Sequence, residues 1–462
     1  MRNSVIQILA CCISALSCGN PAASSAGKEV RLETYRYADE LQPSLLFDVS
    51  ANGERQFVIP TQEPHLCLFG CDGPVTVRVR SWAEEIEDVV VRPLHCEWDA
   101  RLDKDEICLT MHPFDKAVVE INGNEDCPLF IFANPIEEGS KPDRDDPSVL
   151  YFESGKIHRP GTIVPKAGQT VYLEGGAVVD GSLDIRNTDS VTVDGCGILR
   201  CAPDGARAVF VYRCDDFSLK NILCINKNNW TSFFAECNRL HADNYKVVAP
   251  ISDNGAENDA FDVLGCRDVK VTRGFSYCHD DAFCIKSRKW NFGAPVENVL
   301  FEDCISWNCK RGNSFELGYE LGYDVRNVTF RNICSVHSAG NDNVYRRGAL
   351  SLHNGASGTV SDVLYENVWL EDPKEYGIHI GIIENEYNIG NGVQWSPGHI
   401  EGVTLKNIHI GHDAPEGNFI HGYDSNHRVS RVTIEGLWIG GRKILSAEDG
   451  RFDVKHADVI FQ

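Results

Sequence analysis

A six-residue pattern, apolar-x-apolar-x-Asn-apolar, recurs through the larger part of this chain. It reads Val328-Thr329-Phe330-Arg331-Asn332-Ile333, Val363-Leu364-Tyr365-Glu366-Asn367-Val368 and Val403-Thr404-Leu405-Lys406-Asn407-Ile408. Looser copies start at Val191, Phe217, Leu240, Val269, Val299 and Val432, and successive anchors lie 23 to 40 residues apart. A fixed strand core joined by connections of varying length is what a stacked solenoid requires. The alternation turns one β-branched or aromatic face inward on every coil. The Asn at the strand end (Asn221, Asn244, Asn332, Asn367, Asn407) suits a left-handed turn whose side chain bonds its neighbour in the next coil. The regular Leu lattice of leucine-rich repeats is absent. These features predict an all-β protein in which residues 148–462 form a right-handed parallel β-helix.

Ahead of the repeats, residues 27–134 carry short alternating runs, at 75–79, 89–91 and 117–121, separated by turn residues. That reads as a small antiparallel β-sandwich. Residues 135–147 are polar and hold Pro135, Pro142 and Pro147, as a linker does. At the start, Met1-Arg2 and an apolar run over 5–16 form a charged n-region and an h-region too short to span a bilayer, so residues 1–18 read as a signal peptide. Ala15-Leu16-Ser17-Cys18 loosely resembles a bacterial lipobox, which would place a lipid on Cys18; cleavage within 21–26 is the alternative. Either way the expected location is outside the cytoplasm: secreted, periplasmic or lipid-anchored at the cell surface, with no membrane span.

The formal charge of −23 argues against nucleic acid or an anionic membrane as partner, since both need a basic face. Of 19 cysteines, Cys11, Cys12 and Cys18 fall in or beside the signal. Export permits disulfides, and Cys67/Cys71, Cys196/Cys201 and Cys304/Cys309 are close enough in sequence to expect local pairs. Cys224, Cys284 and Cys334 stand at apolar strand positions and are expected in the core. No Cys/His spacing suits zinc, so no metal is expected.

Two segments are near copies: Asn258-Asp259-Ala260-Phe261-Asp262-Val263 and Asp280-Asp281-Ala282-Phe283-Cys284-Ile285. They begin 22 residues apart, about one coil, so Asp259 and Asp281 should stack roughly 4.8 Å apart with Asp280 beside them. Like charges this close oppose full ionisation and keep a proton on the cluster near neutral pH. A protonated and an ionised carboxyl on one surface are the requirement of acid-assisted glycoside hydrolysis.

The stretch 255–322 resembles the polygalacturonases, glycoside hydrolase family 28. Their Asn-Thr-Asp-Gly-x-Asp motif corresponds to Glu257-Asn258-Asp259-Ala260-Phe261-Asp262, their Asp-Asp motif to Asp280-Asp281, and their Gly-His-Gly-x-x-x-Gly motif to Gly312-Asn313-Ser314-Phe315-Glu316-Leu317-Gly318. A β-sandwich ahead of a β-helix also resembles the dextranase and isopullulanase family. The resemblance implies an inverting hydrolase of α-linked polysaccharide with no cofactor, in which Asp280 is the general acid and Asp259 and Asp281 hold and deprotonate water. It departs at two places. Asn313 replaces the family histidine, and the family's Arg-Ile-Lys falls on Ala349-Leu350-Ser351, which leaves room for a neutral sugar. Expected substrate contacts are Asn313, Lys286, Arg347, His279 beside the acid pair, Trp290 as a sugar platform, and His353, whose strand parity points it outward to the cleft. Trp230, Tyr319 and Trp395 are further aromatics in nearby connections, and Arg288 and Arg346 further cations. The expected partner is a polysaccharide and the expected state a monomer. Rival readings are a neutral-glucan hydrolase, a Ca²⁺-dependent β-helix lyase and a non-catalytic carbohydrate-binding solenoid.

Overall fold

The structure, a computed structural model, describes residues 29–202, 206–226, 229–250, 257–338, 348–384 and 391–462. The signal reading at 1–18 and the cations Arg346 and Arg347 lie outside the described residues. The chain divides into two compact units at Glu138/Gly139, with Arg36–Glu40 belonging to the second.

The first unit packs two sheets on one core. Phe47–Ala51, Val75–Ser81 and Glu106–Met111 carry one sheet; His65–Cys71, Lys116–Ile121 and Leu129–Pro135 carry the other. Inward residues of both, among them Val49, Val77 and Leu109 against Phe69, Val119 and Ile131, fill the space between them. All pairings are antiparallel except one: Leu129–Pro135 runs parallel to His65–Cys71, from Leu129 opposite His65 to Pro135 opposite Cys71.

Among the described residues of the second unit, 29 strands from Val149–Phe152 to Ala457–Phe461 form one continuous sheet wound into a parallel β-helix. A single antiparallel pairing among them, Val429–Ile439 with Arg442–Ile444, interrupts the parallel stacking. Because equivalent residues stack, aromatic rings pile on one another inside the helix. Phe301 lies on Phe330 at 5.1 Å and Phe330 on Tyr365 at 5.0 Å, each pair within 7° of parallel. Among the described residues, no helix is long and apolar enough to cross a membrane.

The asparagine ladder forms as expected. Asn221, Asn244, Asn332, Asn367 and Asn407 all have φ between 51° and 61°. Asn407 Nδ2 donates to Asn367 Oδ1 (2.8 Å), Asn367 Nδ2 to Asn332 Oδ1 (2.9 Å), and Asn244 Nδ2 to Asn221 Oδ1 (3.1 Å). A short amide tolerates the left-handed conformation and offers a donor and an acceptor along the stack.

The expected disulfides do not form; every described cysteine is a free thiol. Cys67 and Cys71 share the extended strand His65–Cys71, and four residues of extended chain span about 13 Å, beyond disulfide reach. Cys304 and Cys309 flank the strand Ile305–Asn308, and Cys196 and Cys201 are separated by most of Ile198–Cys201, with the same result. Cys224 does join the apolar core. Cys284 and Cys334 are buried but point to carboxylates, Cys284 to Asp281 and Glu316, Cys334 to Glu371.

Asn367→Ala should cost about 2–4 kcal/mol, because it removes two amide bonds and leaves a Cβ-bearing residue in the left-handed region. Asn367→Gly should cost less; urea denaturation of both variants checks the order. Reductant should leave the melting temperature unchanged, and an increase in free thiols after reduction would contradict the free-cysteine arrangement.

Candidate active site

The strands Phe261–Leu264, Phe283–Lys286, Phe315–Leu317, Gly348–Asn354 and Tyr376–Ile382 succeed one another on one face of the helix. Their register puts Phe261, Phe283, Phe315, Leu350 and Ile378 in one inward row. The outward row beside it is Asp262, Cys284, Glu316, Ser351 and His379. Just before these strands the backbone bonds Thr231 N to Asp259 O (2.7 Å), Ala260 N to Asp281 O (2.8 Å) and Ala282 N to Asn313 O (2.9 Å). Trp230, Asp259, Asp281 and Asn313 therefore occupy one place in successive coils, as the two near-copies require.

Asp259, Asp280 and Asp281 open together into a cleft of about 320 Å³. Trp230, Trp290 and Tyr319 supply its aromatic walls; Lys286, Arg288 and Arg311 its cations; Glu257 and Glu320 further acids. Gly312 closes the coil behind the acid pair at φ 79°. A Cβ there would lie 2.4 Å from the backbone of Asp280 and Asp281, so only glycine fits.

The three acids have different surroundings. Asp280 Oδ2 pairs with Arg311 Nε (2.8 Å), and its Oδ1 accepts the Asp281 amide (3.0 Å). Asp281 Oδ1 accepts both the backbone amide (3.0 Å) and the Nδ2 (3.2 Å) of Asn313, and its Oδ2 accepts Lys286 Nζ (3.1 Å). Asp259 is buried and its Oδ1 has no hydrogen-bond partner. Burial first, then the charges of Asp262, Asp280 and Asp281, raise its carboxyl well above the usual range. Protonation is thus favoured on Asp259, while cations and amide donors surround its two neighbours.

The expected substrate contacts divide. Trp290 lines the cleft, joined by Trp230 and Tyr319. Asn313 is fully buried, and its side chain is consumed in positioning: Nδ2 holds Asp281 while Oδ1 accepts Gly348 N (3.0 Å) and Ser351 Oγ (2.7 Å). Lys286 borders the cleft at 3% exposure, with its ammonium committed to Asp281, Gly318 O (3.0 Å) and Glu320 (3.5 Å). It fixes an acid rather than reaching a sugar. His279 is buried edge-on to Tyr277 and does not line the cleft. Trp395 also stands away from it, bonding Ile383 O and meeting Tyr423.

His353 corrects the parity argument. It does point outward, yet it is wholly buried, because Gly318-Tyr319-Glu320 folds over that face. Tyr319 stacks on the His353 ring at 4.5 Å. Below it His353 Nδ1 meets Glu316 Oε1 (2.8 Å) and its Nε2 meets His379 Nδ1 (2.5 Å). Residues that sequence reasoning missed are Arg311, Glu316, Glu320 and His379. Arg311 had a signal, since it directly precedes Gly312-Asn313; the others depend on what covers the sheet.

Asp281, Cys284 and Glu316 bring ligand atoms within 4.8 Å of one another, the spacing of a metal site. The Lys286 ammonium already sits on Asp281 there, so a divalent cation would face a buried positive charge.

The family model for "Glycosyl hydrolases family 28" matches residues 159–448. Among curated proteins the chain is 28% identical over 159 residues to "Probable endopolygalacturonase C" of Aspergillus aculeatus, covering 34% of this chain and 36% of that protein. It is 30% identical over 157 residues to "Polygalacturonase" of Cochliobolus carbonum, covering 33% and 38%. The chain thus spans little more than a third of the length of these two relatives. Among solved structures, Dex49A from Penicillium minioluteum shares the fold with a TM-score of 0.61 at 15% identity, over 93% of this chain and 96% of that one.

Asp262, wholly buried with both carboxylate oxygens unpartnered, has a pKa raised to about 8. Burial dominates; Lys286 and Arg207 pull it down, Asp281 and Glu320 push it up. Between pH 4 and pH 8 the folded state keeps this proton and the unfolded chain loses it, so Asp262's contribution to stability falls as pH rises through that window. The melting temperature of Asp262→Asn relative to wild type should therefore rise by roughly several degrees on going from pH 5 to pH 8. An unchanged difference would show that Asp262 is ionised in the fold.

Proposed function

The chain belongs to the glycosyl hydrolases of family 28, and we propose that it hydrolyses an α-linked, polygalacturonase-type polysaccharide by single displacement on three aspartates. The carrying observation is the unequal protonation environment of stacked carboxyls in one aromatic-walled cleft. When a sugar enters, Asp280 delivers the proton to the leaving oxygen. It is the most exposed of the three acids, and its partner Arg311 is 31% exposed and lines the cleft. The proton passes from Asp259 to Asp280, which leaves Asp259 and Asp281 ionised to orient and deprotonate the attacking water. The glycosidic bond breaks with its electrons on the oxygen that takes the Asp280 proton, water bonds to the anomeric carbon from the opposite face, and configuration inverts. Asn313 and Lys286 act through Asp281, as positioning residues. The protein works outside the cytoplasm, in keeping with the signal-like residues 1–18.

A neutral sugar next to the acids is the second reading. It is favoured by Ala349 and Ser351, buried and uncharged where the family resemblance places an Arg/Lys clamp.

Reducing ends should appear from pectic or related polysaccharide and persist with chelator; unsaturated products that vanish with chelator would indicate a lyase. Asp280→Asn, Asp259→Asn and Asp281→Asn should each lower kcat by about 10²–10⁴-fold with the fold retained. A glycosyl fluoride, whose leaving group needs no proton, should restore turnover in Asp280→Asn only. Restoration in Asp259→Asn instead would move the acid role to that residue. An NMR time course should show the inverted anomer first.

A further inference from the structure

Two arginines beside the acids have no ion-pair partner among the described residues. The ion pairs of the cleft are Lys286 with Asp281 and Glu320, and Arg311 with Asp280. Arg207 and Arg288 are left over, and both converge on the ring of Phe233. Their guanidinium carbons lie 4.1 Å and 5.8 Å from its centroid. Phe233 stands opposite Asp262, so this point is one coil ahead of the Asp259 coil on the stacking axis. Arg288 lines the cleft and also lies over Trp230 (5.5 Å) and Trp290 (5.8 Å). Its Nε donates to Asn291 O (2.8 Å), which anchors the head over the aromatic rings. Arg207 Nε is buried without any partner.

Partly desolvated guanidinium groups close to one another are costly to hold without an anion. Burial lowers the proton affinity of both, and in Arg207 the neighbouring Arg288 adds to this while Asp262 and Asp259 oppose it. Burial raises the carboxyls of both Asp259 and Asp262, which weakens them as counter-ions. An arrangement with planar donors and flanking indole faces, in which Glu320, the acid that acts most on Arg288, is already shared with Lys286, matches a sugar ring that bears its own carboxylate.

We propose that Arg207 and Arg288 form a subsite for a sugar carboxylate, with Trp230 and Trp290 as its platform, one coil before the reacting acids. This rests on the hydrolase reading and deepens it. Ala349 and Ser351, where the family resemblance would place the clamp, lie on the other side of the acids. The anionic residue of the substrate therefore sits on the opposite flank of the scissile bond. Trp230 stacks directly ahead of Asp259 in the coil register, so a sugar resting on it delivers its next linkage to the three aspartates.

The test is binding, separate from turnover. Thio-linked digalacturonate, which resists hydrolysis, and its dimethyl ester are titrated into the full chain by calorimetry at low and high salt. The acid should bind at least about tenfold tighter than the ester, and the advantage should shrink with salt. Arg288→Gln and Arg207→Gln should each reduce the advantage severalfold, and Arg288→Lys should keep part of it; melting temperatures monitor the fold. Equal affinity for acid and ester in the wild type, or an acid preference unchanged in both Gln variants, overturns the subsite. Reducing-end release judges the hydrolase reading independently. Acid preference without any hydrolysis keeps the subsite and sinks that reading, whereas hydrolysis of a neutral polymer with no acid preference does the reverse.

Discussion

Parallel coils stacked at about 4.8 Å give each side chain a fixed neighbour, the residue at the same place one coil away. Where the residues are phenylalanines or asparagines this is favourable, and rings pile up or amides chain together. Where they are aspartates it is not. Asp259 and Asp281 are brought together by the same register that stacks Phe261 on Phe283. The fold's strongest ordering force thus creates the charge conflict on which the chemistry depends.

The conflict is resolved asymmetrically. Arg311 and Lys286 each neutralise one acid, amide groups of Asn313 add to the second, and the third, buried with one carboxyl oxygen unpartnered, is pushed toward its protonated form. None of these partners comes from within the near-copy segments, though Lys286 directly follows the second. Arg311 and Asn313 belong to the following coil, so three consecutive coils must be in register before the acids acquire distinct characters. Glu316, His353 and His379 form a buried polar row beside them, closed over by Tyr319. That lid converts an outward sheet face into a second interior.

The repeat was readable because periodic apolar residues and left-handed asparagines are local properties, fixed by backbone geometry alone. The stacking of Asp259 on Asp281 was readable for the same reason, whereas Gly312-Asn313 entered only through the family resemblance. His353 was misjudged because alternation tells which way a side chain points and is silent about what lies beyond it; here the covering segment starts at Gly318. Asn313 and Lys286 were expected on the sugar side, but hydrogen-bond saturation removes both from it. The disulfides failed on a simpler ground, since short sequence separation within a strand means distance in space. The significance of Arg207 lay outside any motif, in a convergence on Phe233 that only the wound chain creates.

The coil between the two acid-bearing strands is short, with Phe261 opposite Phe283, while the turn of chain from Phe315 to Leu350 is far longer. A residue inserted between Asp262 and Asp280 would displace both acids of the pair relative to Asp259, with no slack to absorb it. The longer connections carry no such penalty, and they are the ones that build the walls of the cleft. On the proposed hydrolysis, substrate choice can therefore change by lengthening or trimming those walls, while the acid cluster stays an indivisible block.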